Sequence, residues 1–167
     1  MADKYIRQVA GTLTEIEATV TSAGAANAGD IPALDPTGRL DPSVMPVGIG
    51  ADTALIQASE ALAAGDYVNI HNAGGARVRK ADAAAAGKQA HGFVLASVAS
   101  GANATVYFEG PNTQVTGQTP GEIFLSTTPG VGTSTPPSGS GNVVQRLGVA
   151  TSPTSVNFEA AQPIVLA

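Results

Sequence analysis

Two stretches of the chain gather apolar residues around a short polar break, and they echo each other. Residues 90–110 read AHGFVLASVASGANATVYFEG. Apolar runs at 92–98 and 104–108 flank Ala99-Ser100-Gly101-Ala102-Asn103, which has no long side chain to pack. β-branched and aromatic residues on both sides of a Gly/Asn break predict a β-hairpin. The later copy joins Leu147-Gly148-Val149-Ala150-Thr151-Ser152 to Ser155-Val156-Asn157-Phe158-Glu159. Both copies run from small apolar residues through a Ser/Thr turn to Val-x-Phe-Glu. Two related hairpins in one all-β domain are therefore expected.

From residue 47 onward the pattern predicts further strands at 53–58, 67–71, 76–81, 122–126, 142–151, 155–159 and 163–166. Asn72-Ala73-Gly74-Gly75 is a turn between two of them. Residues 59–66 are a connection, and the Ala-rich 83–89 and the Pro/Gly/Thr segment 111–120 are loops. TTPGVGTSTPPSGSG at 127–141 is low in complexity and is expected to be an exposed loop. Short strands separated by Gly/Pro-rich turns predict a small barrel or sandwich.

The N-terminal part has a different pattern. Residues 4–9 and 12–20 flank Ala10-Gly11 and read as a hairpin with mixed faces. A helix over 14–20, with Thr14 and Glu17 as a capping box, is the alternative, and the β-branched content favours strand. A lone hairpin is marginal in water, so this one is expected to dock. Residues 21–29 (TSAGAANAG) read as a linker. Residues 30–46 contain Pro32, Pro36, Pro42 and Pro46, which bar both a helix and a central strand. Asp35-Pro36-Thr37-Gly38 fits a type I turn. Around it Ile31, Leu34, Leu40, Val44 and Met45 offer apolar side chains from a backbone that cannot form its own core. The expected organisation is an N-terminal β-hairpin arm (1–22), an extended Pro/Gly linker arm (23–46) and a β-barrel-like domain (47–167). The candidate interface residues, toward a partner or a sister subunit, are Tyr5, Ile6, Ile31, Leu34, Leu40, Val44 and Met45.

Composition reinforces this. Charged residues are 13% of the chain, about half the usual share. Aromatics are 4% and Trp is absent. Small side chains make a thin core, so much of the stability is expected to come from burying surface in an assembly. A net charge of −5 argues against nucleic-acid binding, which needs clustered Lys and Arg. The basic cluster Arg77-Val78-Arg79-Lys80 places Arg77 and Arg79 on one strand face and reads as a solvated or salt-bridged surface. Without Cys there is no disulfide framework, thiolate site or Cys nucleophile. Met1-Ala2-Asp3-Lys4 lacks a signal-peptide profile, and no apolar run approaches the roughly 18 residues of a membrane helix. The chain is expected to be made in a cytoplasm, with no membrane partner.

Reactive constellations are sparse. His71 and His91 have no third ligand at metal spacing, and there is no Gly-x-Ser-x-Gly elbow. Glu109 and Glu159 each close a strand and are expected to face solvent. Asp30, Asp35 and Asp41 lack the alternate-position spacing of a calcium loop and read as turn caps. Gly48-Ile49-Gly50 and Gly130-Val131-Gly132 do not continue as phosphate loops. Asn103-Ala104-Thr105 is a formal glycosylation sequon without a secretory signal to support it. No catalytic residue, cofactor or metal is expected.

Four segments carry a resemblance: IPALDPTGRLDPSVMPVGIGAD, AAGDYVNIHN, HGFVLASVASGANATVYFEG and GVATSPTSVNFEAAQPIVLA. With these the chain resembles the head decoration (cement or head-fibre) proteins of tailed bacteriophages. The segment LDPTGRLD is of a kind widespread in phage surface and fibre proteins, so alone it points to phage structure rather than to a location. The resemblance implies a β-barrel-like domain, a homotrimer, and a place on the outer surface of the capsid, bridging major capsid protein subunits. It implies no catalytic residues and no nucleic-acid partner. A tail fibre or spike module is the alternative, but the chain has no long repeats or heptads. A carbohydrate-binding surface module is another, but such sites want exposed aromatics. An enzyme is the reading the residues support least.

Overall fold

The computed structural model describes residues 3–45 and 50–167. The domain start expected at Val47, the first two residues of Gly48-Ile49-Gly50, and Met1-Ala2 lie outside the described residues. The protein is all-β and divides into two compact units, Met1–Gly50 and Ala51–Ala167.

In the first unit, β1 (Lys4–Val9) pairs antiparallel with β2 (Thr12–Glu17), with Tyr5 opposite Ile16 and Val9 opposite Thr12. Ala10 and Gly11 both have positive φ, 48° and 85°. A two-residue turn of this hand matches the twist of the strands it joins, and with Thr12, Thr14 and Ile16 alternating it favours strand over the helix alternative. The stretch read as a linker is pinned rather than loose. It holds a 3₁₀ turn at Gly24–Asn27, and a second 3₁₀ turn follows at Pro42–Val44. Thr19 N–H donates to Ile31 O at 3.0 Å, and Ala33 N–H donates to Thr19 O at 2.9 Å. Ser22 N–H reaches Ser43 Oγ at 2.8 Å. The Asp35 turn forms as expected, with Gly38 N–H donating to Asp35 O at 2.9 Å. Polar bonds hold this unit, since none of its described residues is buried.

In the second unit, five strands close a barrel: β3 (Thr53–Ala58), β4 (Tyr67–Asn72), β5 (Ala76–Lys80), β6 (Gly92–Phe93) and β7 (Asn103–Tyr107). Their order is β3-β5-β4-β6-β7, and the β3–β5 pair alone among the barrel pairings is parallel. Ala58, Leu62, Val68, Val78, Val94, Ala104 and Val106 fill the interior. A five-stranded sheet combines β8 (Gly110–Asn112), β9 (Gly121–Leu125), β10 (Gly132–Thr133), β12 (Arg146–Ser152) and β13 (Ser155–Phe158), in the order β10-β9-β12-β13-β8. A separate two-stranded sheet pairs β11 (Val143–Val144) with β14 (Ile164–Val165). A second core joins barrel to sheet, with Tyr67 and Phe93 meeting Ile123, Leu125, Leu147, Val156 and Phe158. Tyr67 and Val68 are neighbours and both fully buried, because β4 has a core on each face.

Three expectations change. The run 92–98 is strand only at Gly92–Phe93. Beyond it the chain leaves β7 and bonds to the 59–66 connection. Val94 N–H donates to Asp66 O at 3.1 Å, and Leu62 and Val98 exchange bonds of 2.9 Å. Residues 127–141 are not one exposed loop. Gly130 and Gly132 are buried, Gly130 N–H donates to Ala81 O at 2.7 Å, and Gly132–Thr133 pairs with β9. Glycine lets this backbone approach Tyr67 and Asp66 more closely than a side chain would. Residues 142–151 are two strands, split at the buried Gln145. Its side chain imitates a backbone partner, accepting from Ala90 N–H at 2.8 Å and donating to Ala90 O at 2.9 Å.

Candidate docking surface

Unburied apolar side chains mark the first unit more than any polar constellation does. The hairpin register places Lys4, Ile6 and Gln8 with Leu13, Glu15 and Glu17 on one face, and Tyr5, Arg7 and Val9 with Thr12, Thr14 and Ile16 on the other. Arg7 reaches Gly29 O at 3.4 Å and Asp30 at 3.9 Å, so part of the second face is turned to the rest of the unit. The first face stays open, with Ile6 63% and Leu13 74% exposed. Opposite charges line one end of it, where Lys4 pairs with Glu15.

Of the seven predicted interface residues, Ile6, Ile31, Leu34, Leu40 and Met45 are exposed. Tyr5 and Val44 are only half-exposed. Tyr5 stands across from Ile16, and its hydroxyl is buried without a hydrogen-bond partner. Val44 lines a shallow cleft with Thr19, Asn27, Asp30 and Pro32. Both therefore take part in the unit's own packing as well. Leu13 joins the exposed residues as one that sequence alone does not place: Thr12-Leu13-Thr14 shows an apolar member of the hairpin but not its face. Nor does sequence alone place Leu55, Ile164 and Val165, at 68%, 65% and 55% exposure on the second unit. A run such as Thr53-Ala54-Leu55-Ile56 shows the alternation but not which face a barrel closes over.

The carboxylates serve turns. Asp35 Oδ1 accepts from Thr37 N–H at 2.8 Å, Thr37 Oγ1 at 2.6 Å and Arg39 N–H at 3.0 Å. These bonds, the Thr37 hydroxyl first, hold its carboxyl below its ordinary value. Asp41 caps the turn at Pro42–Val44 by accepting from Ser43 N–H at 2.9 Å, and the Ser43 side chain chiefly lowers its titration. Glu109 and Glu159 are exposed, and both line one shallow cavity of about 390 Å³ with Pro111 and Asn157. Among the described residues, no three His, Asp or Glu side chains are placed to hold a metal ion. Burial pushes the Tyr67 phenol up, and the nearby Asn112 side chain offsets part of that.

His91 is structural in this setting. Its Nδ1 accepts from Ile70 N–H at 3.0 Å, which requires the neutral ring, and burial lowers its titration below 6.5. A lowered folded value means this contribution to stability is whole above about pH 6.5 and is lost as pH falls from there through the folded value. The urea midpoint of the full chain should therefore fall between pH 7 and pH 5, and His91→Gln should flatten that step. The same step in the variant would show that His91 is not its source.

No family model, curated protein or solved structure matches this chain.

Proposed function

We propose that this is a structural virion protein that binds the outer surface of a phage capsid and stabilises it by bridging major capsid protein subunits. In this reading the chain is made in the host cytoplasm and acts as a homotrimer, with neither cofactor nor catalytic site. The observation that carries it is the first unit, in which no described residue is buried while Ile6, Leu13, Ile31, Leu34, Leu40 and Met45 stay exposed. Ordering such a segment costs conformational entropy that its own contacts do not offset, so a partner surface is the natural source of stability. The resemblance to head decoration proteins, carried in part by the same Pro-rich segment, supplies the kind of partner. The closed barrel supplies a rigid body with its polar backbone satisfied internally.

The test uses full-length chain and capsids assembled without it. Wild-type protein should cosediment with them and add density to the outer capsid surface in electron micrographs. Leu34→Glu with Leu40→Glu should weaken binding at least tenfold, since burying one leucine is worth about 1.5–3 kcal/mol. The urea midpoint of the second unit should not move. Density confined to a tail would replace this reading with the fibre or spike alternative.

A further inference from the structure

On the outward face of the barrel, two cations have no carboxylate partner among the described residues. Val78 packs inside the barrel, so Arg77 and Arg79 on either side of it, both half-buried, lie on its outer face. Lys4, Arg7, Lys80, Lys88 and Arg146 each have a carboxylate within ion-pair distance. Among the described residues Arg77 and Arg79 have none, and neither does Arg39 in the first unit. Arg77 donates to Ala76 O at 3.1 Å, and Arg79 to Asn69 Oδ1 at 3.0 Å and Gly87 O at 2.9 Å, all neutral acceptors. The acids nearby in the fold are engaged elsewhere: Asp66 by Lys80, Asp82 by Lys88, and Glu60 by Lys80 N–H. The neighbouring strands contribute Gln57 and His71 opposite Arg77, and Asn69 opposite Arg79. The parallel register that puts Gln57 beside Arg77 sets Leu55, 68% exposed, one step ahead of it on the same face. This face therefore carries Arg77 and Arg79 along β5, with Leu55 beside them on the neighbouring strand β3.

The chain contains the matching row. On β2, Leu13, Glu15 and Glu17 share one face at every second residue, reading apolar, acidic, acidic. Glu17 has no cation partner among the described residues, and the Lys4–Glu15 pair is half-exposed, hence weak. Arg77 and Arg79, like Glu15 and Glu17, are two strand residues apart, roughly 6.7 Å. We propose that the Arg77/Arg79 face of one copy receives β2 of a second copy. Glu15 and Glu17 meet the two guanidiniums, and Leu13 lies against Leu55. This deepens the assembly reading above by naming the surfaces between copies, and it needs no capsid. A face that meets a different face is heterologous, so repeating it closes a ring or lengthens a chain.

Sedimentation equilibrium of the full-length protein tests it by charge exchange. Wild type should show an integer multiple of the monomer mass at micromolar concentration, and dissociate between about 0.05 and 0.5 M salt as surface charges are screened. Arg77→Glu with Arg79→Glu should be monomeric, and so should Glu15→Arg with Glu17→Arg. An equimolar mixture of the two variants should reassemble, because each then offers the other a complementary row in both directions. Unchanged thermal midpoints of the separate variants would attribute the loss to the contact and not to the fold. A wild type monomeric throughout overturns the proposal. So does assembly indifferent to both variants, or a mixture that stays monomeric. A monomeric chain that still binds capsids overturns this contact while leaving the capsid reading standing.

Discussion

Replacing Phe93 by alanine should cost the second unit about 3–5 kcal/mol, a large part of the roughly 5–15 kcal/mol that holds an ordinary domain. Phe93 is 1% exposed and belongs to the core that joins barrel to sheet. Its ring stacks on Tyr107 at 5.4 Å and meets Phe158 edge-on at 5.5 Å, and Phe158 in turn stacks on Tyr67 at 5.8 Å. Those contacts tie barrel strands β4, β6 and β7 to sheet strand β13. Removing the ring leaves a cavity between barrel and sheet that two rigid walls cannot close. Urea unfolding of the full chain should show a lower midpoint at unchanged slope. Phe108 is the natural comparison. It is only half-buried against the barrel core, so Phe108→Ala should fall within the common range of about 0.5–3 kcal/mol. Equal losses at the two positions would mean that Phe93 does not tie barrel to sheet.

That contrast shows what the sequence could and could not reveal. Period-two alternation located most of the strands, because a strand with one buried face leaves that trace. It said nothing about which strands have two buried faces. In β4, Tyr67-Val68-Asn69 is buried throughout, since a barrel interior takes Val68 while the second sheet covers Tyr67. Phe93 and Phe108 looked equivalent as aromatics in flanking apolar runs, and only the closed topology separates them. The glycines of 127–141 misled for a related reason. A glycine-rich run signals either an open loop or a backbone pressed against something large, and Gly132 beside the Tyr67 ring is the second kind. Gln145 gave no signal, because a polar residue in an apolar run becomes a strand partner only where Ala90 offers both an N–H and a C=O. The exposure of Ile31, Leu34 and Leu40 was legible because prolines deny them a local core. The exposure of Leu13 and the lack of a carboxylate beside Arg77 and Arg79 were not, because exposure and the whereabouts of carboxylates depend on register and closure.

Gly148→Ala should be the other severe substitution, at roughly 2–5 kcal/mol from backbone strain and overpacking together. Gly148 lies on β12 at φ +143°, opposite Phe158 and beside an irregularity in the pairing with β9. A Cβ there would fall onto the carbonyl oxygen of Asn157. The earlier half of the echo repeats the arrangement. A Cβ on Gly92 would come 2.5 Å from Tyr107 O and 2.7 Å from Val106 Cγ1. Tyr107 and Asn157 occupy the same place in Val-x-Phe-Glu, so the likeness of the two stretches is a shared packing need. In each, a glycine makes room for the carbonyl that precedes the phenylalanine of Val-x-Phe-Glu. Three alanine variants separate the contributions. Gly74, in an exposed turn at φ +71° with open space around it, carries only backbone strain and should lose about 1 kcal/mol. Gly92 has no positive φ, carries only the close approach and should lose about 1–3 kcal/mol. Gly148 carries both and should lose the most. Urea midpoints measured side by side give the ranking. If Gly148→Ala cost no more than Gly74→Ala, the β12–β13 pairing would be soft enough to shift, and the echo would be a coincidence of composition.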